Sequence, residues 1–142
     1  MNTHNHSLST PEGITKKFIS RELSYKLSRF LDPSKFEAVC DGELDVFNSP
    51  GQESDIVIYG KENGLMPVVA IEICNKADVP EMSRFAQKLI RAFSLKEFFL
   101  YALDEKRWYR QTSSSAENTS SCRSESLALS FEDALTPFPV GM

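Results

Sequence analysis

The sequence lacks the features of a membrane protein and of a secreted, disulfide-bonded protein. Its longest apolar stretch runs from Met66 to Ile73, is interrupted by Glu72, and is far shorter than the ~20 residues that span a bilayer. Residues Met1 to Thr10 are polar and show neither the basic start nor the apolar run of a secretory signal. The three cysteines include no CxxC pair, which favours reduced thiols over a disulfide framework or a zinc site. We therefore expect a cytoplasmic protein that does not enter a membrane.

The sequence also has few histidines and no net positive charge. The two histidines, His4 and His6, both lie near the N-terminus, so neither is expected to serve Cys74 as the base that a cysteine nucleophile requires. With a formal net charge of -4, the chain is not expected to coat nucleic acid indiscriminately, because such binding depends on neutralising phosphates. An enzyme that reaches phosphate through an acidic metal site is compatible with this charge.

The sequence does contain enough apolar residues for one core. With 142 residues, of which 41% are hydrophobic and 25% charged, it has the composition of a single globular domain. We predict a flexible tail over residues 1–10 and one domain over residues 11–142. Within that domain, nine of the fifteen residues from 112 to 126 are serine or threonine, which predicts a mobile loop.

The first predicted element is a helix that begins after the N-cap residue Thr10 and ends at Asp32-Pro33. Apolar residues at helical spacing predict its buried stripe, and its basic residues are expected on the exposed face. The predicted buried residues are Ile14, Phe18, Ile19, Leu23, Leu27, Phe30 and Leu31, and the predicted exposed ones are Lys16, Lys17, Arg21, Lys26 and Arg29.

The rest of the chain is predicted to alternate between strands and helices. The nearly continuous apolar run from Met66 to Cys74 is typical of a central strand that is covered on both faces. The other predicted strands are Phe36 to Cys40, Leu44 to Phe47, Asp55 to Tyr59, Glu97 to Leu103, Arg107 to Gln111 and Leu127 to Leu129, and the later helices are Asp78 to Ser94 and Phe131 to Leu135.

Glu72 is the most informative residue of the central strand. A carboxylate in an apolar strand is costly to bury unless it is paired, hydrogen-bonded or metal-bound. Asp55 begins the preceding apolar strand, so the two carboxylates would meet at one end of the sheet if these strands are neighbours. Two oxygen ligands, completed by water and substrate phosphate, are a usual way to hold Mg²⁺. The structural alternative is that Glu72 reaches solvent or pairs with Lys88 or Arg91 of the following helix.

The order of the predicted elements resembles the core of the PD-(D/E)XK nucleases, and more narrowly the bacterial family of endonuclease-like proteins named after Uma. The resemblance is carried by Ser54 to Ile58, Val68 to Asn75, Gln87 to Leu89 and Lys96 to Tyr101. These segments look like the family's Pro-Asp strand, its Glu-bearing strand, its helix with a displaced lysine and its aromatic strand. The resemblance implies an α/β, restriction-endonuclease-like fold with an αβββαβ core, in which a central mixed sheet is flanked by helices.

The resemblance also implies roles for four side chains. Asp55 and Glu72 would bind Mg²⁺ or Mn²⁺, and Glu22 would add an acidic group from the first helix. Lys88 would hold positive charge near the attacking water or the scissile phosphate. An ordinary solvent-facing lysine is the alternative for Lys88, and a pair with Lys26 is the alternative for Glu22.

This chain departs from the family pattern at two positions. Ser54 stands in place of the proline, which sets backbone shape and binds no metal. Cys74 stands in place of the lysine of the E-x-K motif. The resemblance implies that the following helix supplies that lysine, which makes Lys88 the candidate for the role.

One main functional hypothesis and two alternatives follow. The main hypothesis is a Mg²⁺-dependent endonuclease that hydrolyses DNA. The first alternative is a catalytically inactive nuclease-fold module that binds or regulates, favoured by the acidic charge and by Cys74. The second is a subunit that cuts only within a larger complex. A homodimer is expected if Lys96 to Tyr101 lies near an exposed sheet edge.

Overall fold

The structure is a computed structural model that describes residues 11–44, 53–62 and 64–132. Helix α1 spans Pro11–Phe30, and helix α2 spans Val79–Phe93 after a 3-10 turn at Lys76–Asp78. The strands are β1 (Phe36–Glu43), β2 (Glu53–Gly60), β3 (Met66–Cys74), β4 (Glu97–Ala102), β5 (Arg107–Thr112), β6 (Ser115–Ser120), β7 (Arg123–Ser124) and β8 (Leu129–Ser130). The predicted tail and residues 45–47 and 133–135 of two predicted elements lie outside the described residues. No helix within the described ranges is long and apolar enough to cross a membrane.

Strands β1 to β6 form one mixed sheet whose spatial order is the chain order, β1-β2-β3-β4-β5-β6. Only β3 and β4 are parallel neighbours within this sheet, and the others are antiparallel. The parallel pair is joined through α2, because parallel strands need a crossover connection. Strands β7 and β8 form a separate two-stranded ladder. The predicted α/β class with a central mixed sheet flanked by helices is confirmed.

Both faces of the central strands β2, β3 and β4 are buried, and the alternation of side chains along each strand decides which helix they meet. The α1 side of the core comprises Leu23, Leu27, Leu31, Ile56, Ile58, Val69, Ile71, Phe99, Trp108, Leu127 and Phe131. The α2 side comprises Leu44, Val57, Tyr59, Ala70, Ala86, Leu89, Ile90, Leu95, Phe98 and Leu100. Because β2, β3 and β4 are covered on both sides, their sequences are apolar almost without interruption.

Helix α1 faces the sheet with a different stripe from the predicted one. Leu23 is fully buried and Ser20 is 4% exposed, whereas Ile14 and Phe18 are 62% and 57% exposed. The prediction followed the largest apolar side chains, but apolar residues occur on two sides of this helix and only one side can pack on the sheet. Lys16 lies on the buried side with Ser20 and Leu23, so its predicted exposure is wrong.

The Ser/Thr-rich segment 112–126 is not the predicted loop throughout. Strand β6 lies within it and pairs antiparallel with β5. The side chain of Gln111 donates to Asn118 Oδ1 at 2.7 Å, and the Asn118 amide donates to Ser83 Oγ on α2. Pairing at a sheet edge and amide contacts to a helix therefore hold a polar strand whose composition alone favours a loop.

The segment on which the homodimer expectation rested, Lys96 to Tyr101, lies inside the sheet. Strand β4 pairs with β3 on one side and with β5 on the other. The outer strands of the described sheet are β1 and β6. The condition for a dimer through this segment is therefore not met, because both sides of the strand are already paired.

The predicted last strand is shifted by tertiary pairing. Strand β8, at Leu129–Ser130, pairs with β7 at Arg123–Ser124. Ala128 adopts a positive φ of 57° between them, a conformation typical of tight turns. The hairpin places Leu127 in the core on the α1 side.

Gly42 of β1 occupies a position without room for a side chain. A Cβ atom there would lie 2.7 Å from Val57 Cβ and 3.1 Å from the Tyr59 hydroxyl. We expect Gly42→Ala to lower the free energy of unfolding by about 1–3 kcal/mol through overpacking. Urea denaturation measures this change, and an unchanged midpoint would show that β1 can move away from β2 without cost.

Candidate functional site

The pairing of β2 with β3 ends in two carboxylates. Ile56 faces Ile71 in the antiparallel register, so the next residues outward, Asp55 and Glu72, stand opposite one another. Asp55 donates its backbone N–H to Glu72 Oε1 at 3.1 Å, and Ile73 donates its N–H to Asp55 Oδ2 at 2.7 Å. Each side chain thus bonds the backbone of the opposite strand, and the structure brings the two carboxylates together at one end of the sheet.

Glu72 is buried with one oxygen unpaired. The residue is 1% exposed, and its Oε2 atom has no hydrogen-bond partner among the described residues. Burial, and next the negative charge of Asp55, raise the pKa of Glu72 well above its ordinary value. An unpaired buried carboxylate oxygen costs stability, which indicates that Glu72 serves a purpose other than holding the fold together.

Glu97 shows how a structural carboxylate is buried in the same sheet. It is also 1% exposed, but its oxygens are well supplied with donors. They accept hydrogen bonds from Arg110 Nε at 2.6 Å, Ser124 Oγ at 2.6 Å, Glu125 N–H at 3.0 Å and Ser126 N–H at 3.2 Å. Burial raises the pKa of Glu97, but these hydrogen bonds outweigh burial and hold its pKa below the ordinary value. Glu97 therefore ties the β7–β8 hairpin to β4, and Glu72 has no comparable structural role.

A lysine from α1 lies against the carboxylate pair. Lys16 Nζ is 3.4 Å from Asp55 Oδ2, and the two side chains are 24% and 13% exposed. Burial lowers the pKa of Lys16, but the charges of Asp55 and Glu72 outweigh burial and raise its pKa above the ordinary value. The lysine therefore stays positively charged beside the two acids.

Sequence reasoning missed Lys16 because basic residues were assigned to the exposed face of the first helix. Lys16, Ser20, Leu23 and Leu27 recur at i, i+4, i+7 and i+11, so the lysine occupies the first position of the buried stripe. A lysine in register with buried leucines is a signal that could have found it, because its long stem can pack while its ammonium reaches an acidic partner.

The other predicted site residues lie apart from the pair. Lys88 is exposed on α2, and Glu22 is half-buried on α1. Among the described contacts neither forms an ion pair or hydrogen bond with Asp55 or Glu72. Their roles stay predictions, and the alternative pairing of Glu72 with Lys88 is not seen.

Cys74, which occupies the E-x-K lysine position, is a protonated thiol. Burial, followed by the charges of Asp78 and Glu72, raises the pKa of Cys74 to about 12. Because the thiolate is the reactive form of cysteine, Cys74 is unsuited to act as a nucleophile.

The carboxylate pair fits a hard divalent cation. No group of three or more histidine, cysteine, aspartate or glutamate side chains is placed to hold a metal in the described part of the chain. Mg²⁺ does not need such a cage, since it is usually bound by one or two carboxylates and completed by water and substrate phosphate. The unpaired oxygen of Glu72 beside Asp55 is a donor of the type that Mg²⁺ and Mn²⁺ prefer.

Comparison with known proteins supports the fold. No protein-family model and no curated protein matches the sequence, so the narrower resemblance to the Uma family stays a prediction. The structure is similar to that of a candidate nuclease of the DUF820 family from Anabaena variabilis, with a TM-score of 0.56 and 15% sequence identity. The match covers 85% of this chain and 80% of that chain. The chain therefore has a restriction-endonuclease-like α/β fold, with Asp55, Glu72 and Lys16 at one end of its sheet.

Proposed function

We propose that this protein is a Mg²⁺- or Mn²⁺-dependent endonuclease that hydrolyses phosphodiester bonds in DNA. One observation carries the proposal: buried Glu72 keeps an unpaired oxygen next to a second carboxylate and a lysine. The restriction-endonuclease-like fold supports nucleic acid as the substrate class, since the similar structure is that of a candidate nuclease.

Asp55 and Glu72 are the residues that would hold the cation. When bound, the cation supplies Lewis acidity and lowers the pKa of a water molecule. Hydrolysis adds the oxygen of a water molecule to phosphorus and breaks one P–O bond. The water gives up a proton to solvent, and the departing oxygen takes one up, so a phosphate monoester and a hydroxyl end are formed. Lys16, whose Nζ is 3.4 Å from Asp55 Oδ2, would stabilise negative charge on the phosphate in the transition state.

The pairing of β2 with β3 holds Asp55 and Glu72 in fixed positions. Their ladder is apolar and fully buried at Ile56 and Ile71, and the backbone N–H groups of Asp55 and Ile73 fix one oxygen of each carboxylate. Side chains held by backbone donors of rigid strands need little reorganisation to bind a ligand, which favours catalysis.

Cleavage of supercoiled plasmid DNA with Mg²⁺ or Mn²⁺ tests the proposal. We expect nicking by the wild type and a loss of roughly 100-fold to 1,000-fold in identically purified Asp55→Ala and Glu72→Ala. Glu37→Gln is the matched control, because Glu37 is an exposed carboxylate of β1. Its Oε1 atom lies 3.8 Å from Lys61 Nζ. Nicking that survives in either site variant, or that the wild type lacks with both metals, would contradict the proposal.

A second candidate is a binding module that keeps the fold without hydrolysis. The contact between Lys16 and Asp55 favours it, because this ion pair offsets one carboxylate charge without a metal. Calorimetric titration with Mn²⁺ separates the two functions. An inactive module should show no binding heat that depends on Asp55 and Glu72, whereas metal binding without cleavage would favour a subunit of a larger complex.

A further inference from the structure

We propose that Lys16, rather than Lys88, contacts the scissile phosphate, and that Lys16 competes with the metal ion for Asp55. The inference rests on the proposed nuclease function and assigns its positive group to α1 instead of α2.

Lys16 reaches the carboxylate pair directly, with Nζ at 3.4 Å from Asp55 Oδ2, whereas Lys88 is exposed on α2 and makes no described contact with either acid. Lys16 also lies on the stripe that packs α1 on the sheet, with fully buried Leu23 and Leu27 on the same side. Its helix is therefore fixed relative to the site.

The Lys16 side chain is partly exposed to solvent. The ammonium group has three N–H donors, and one contact with Asp55 leaves donors for a phosphate oxygen. The Lys16 side chain is 24% exposed, while Glu72 is 1% exposed. A phosphate that approaches from solvent can therefore reach Lys16 beside the Asp55 carboxylate.

Lys16 and a divalent cation are both attracted to Asp55 Oδ2, and like charges a few ångströms apart repel. Metal binding should weaken the contact between Lys16 and Asp55 and free the ammonium for the phosphate. Removing Lys16 should therefore strengthen metal binding and slow cleavage, whereas the loss of a merely structural lysine would weaken both.

The test compares Lys16→Met with one lysine control and with the competing lysine of α2. Lys17→Met removes the neighbouring lysine, which pairs with Asp41 at 2.6 Å and is 41% exposed, and Lys88→Met removes the lysine of α2. Calorimetry with Mn²⁺ alone should show about threefold to tenfold tighter binding by Lys16→Met, since a repulsive charge is removed. Single-turnover plasmid cleavage at saturating Mn²⁺ should be roughly 100-fold slower in Lys16→Met. Lys16→Arg should recover part of the rate, and the control Lys17→Met should match the wild type.

The outcomes separate this inference from the proposed function. Cleavage by Lys16→Met at the wild-type rate, or weaker Mn²⁺ binding by that variant, would overturn the inference even if Asp55→Ala and Glu72→Ala remain inactive. Loss of cleavage in Lys88→Met with Lys16→Met unaffected would return the role to Lys88. A wild type that neither binds Mn²⁺ nor cleaves would overturn both. If Lys16→Met does not fold, the same measurements are made with Lys16→Gln, which keeps a hydrogen-bond donor for Asp55.

Discussion

Glu72→Gln is expected to lose DNA cleavage by roughly 1,000-fold and yet to unfold at a higher urea concentration than the wild type. The wild-type residue is buried with Oε2 unpaired, and burial together with the charge of Asp55 opposes its ionisation. A glutamine keeps an oxygen for the Asp55 N–H and replaces the unpaired acceptor with an amide that can donate to the Asp55 carboxylate. We expect the free energy of unfolding to rise by about 1–3 kcal/mol, the usual cost of an unsatisfied buried polar group.

Urea denaturation without added metal and the plasmid assay measure the two effects. Glu37→Gln is again the control and should alter neither, since an exposed ion pair contributes only about 0–1 kcal/mol. A gain in stability with a loss of activity is the behaviour expected of a residue retained for function. A less stable Glu72→Gln would identify Glu72 as a structural group and remove the main support for the proposed metal site.

Glu97→Ala is expected to lower the free energy of unfolding by about 3–5 kcal/mol, because it leaves a partly buried guanidinium without its carboxylate. Arg110 is 19% exposed and donates to Glu97 at 2.6 Å. The change also frees the β7–β8 hairpin, which is tied to Glu97 through Ser124. That hairpin positions Leu127 and Phe131 in the core on the α1 side, so its loosening affects packing as well as charge.

The stability difference between wild type and Glu97→Ala should become smaller at low pH. The pKa of Glu97 is lower in the folded protein than its ordinary value, so its contribution is present above the unfolded pKa of about 4.3. The contribution is lost as the pH falls through the lower folded pKa. The difference should therefore be constant from about pH 6 to pH 8 and shrink below about pH 4.

Urea denaturation across this pH range, with Glu125→Ala as the control, checks the prediction. Glu125 is 81% exposed and lies 3.7 Å from Arg110 Nη2, so its loss should cost no more than about 1 kcal/mol. Equal effects of the two substitutions, or a difference that does not change with pH, would show that the Glu97 hydrogen bonds do not stabilise the fold.

Much of the fold could be predicted because the central strands are nearly continuous apolar runs. Strand β3 has the predicted bounds, Met66–Cys74, and Glu72 stands out in it as a charged residue within an apolar run. The edge of the sheet could not be predicted in the same way. Strand β6 has a loop-like composition, and it is a strand because β5, α2 and the Asn118 contacts supply its partners.

The position of Lys16 could not be predicted from local sequence either. The spacing of Lys16 with Leu23 and Leu27 is visible in the sequence, but Ile14 and Phe18 lie on another side of the same helix and are equally apolar. Local spacing cannot choose between two such stripes, because the choice depends on which side fits the sheet.

By itself the sequence determined the apolar strands β2 and β3 and the carboxylates Asp55 and Glu72 within them, since strand alternation and an acid in an apolar run are local properties. Only the tertiary structure decided that the antiparallel register sets these acids opposite one another and that α1 brings Lys16 to them. Contacts between residues so distant in the chain depend on how the elements pack, and no local pattern encodes that packing.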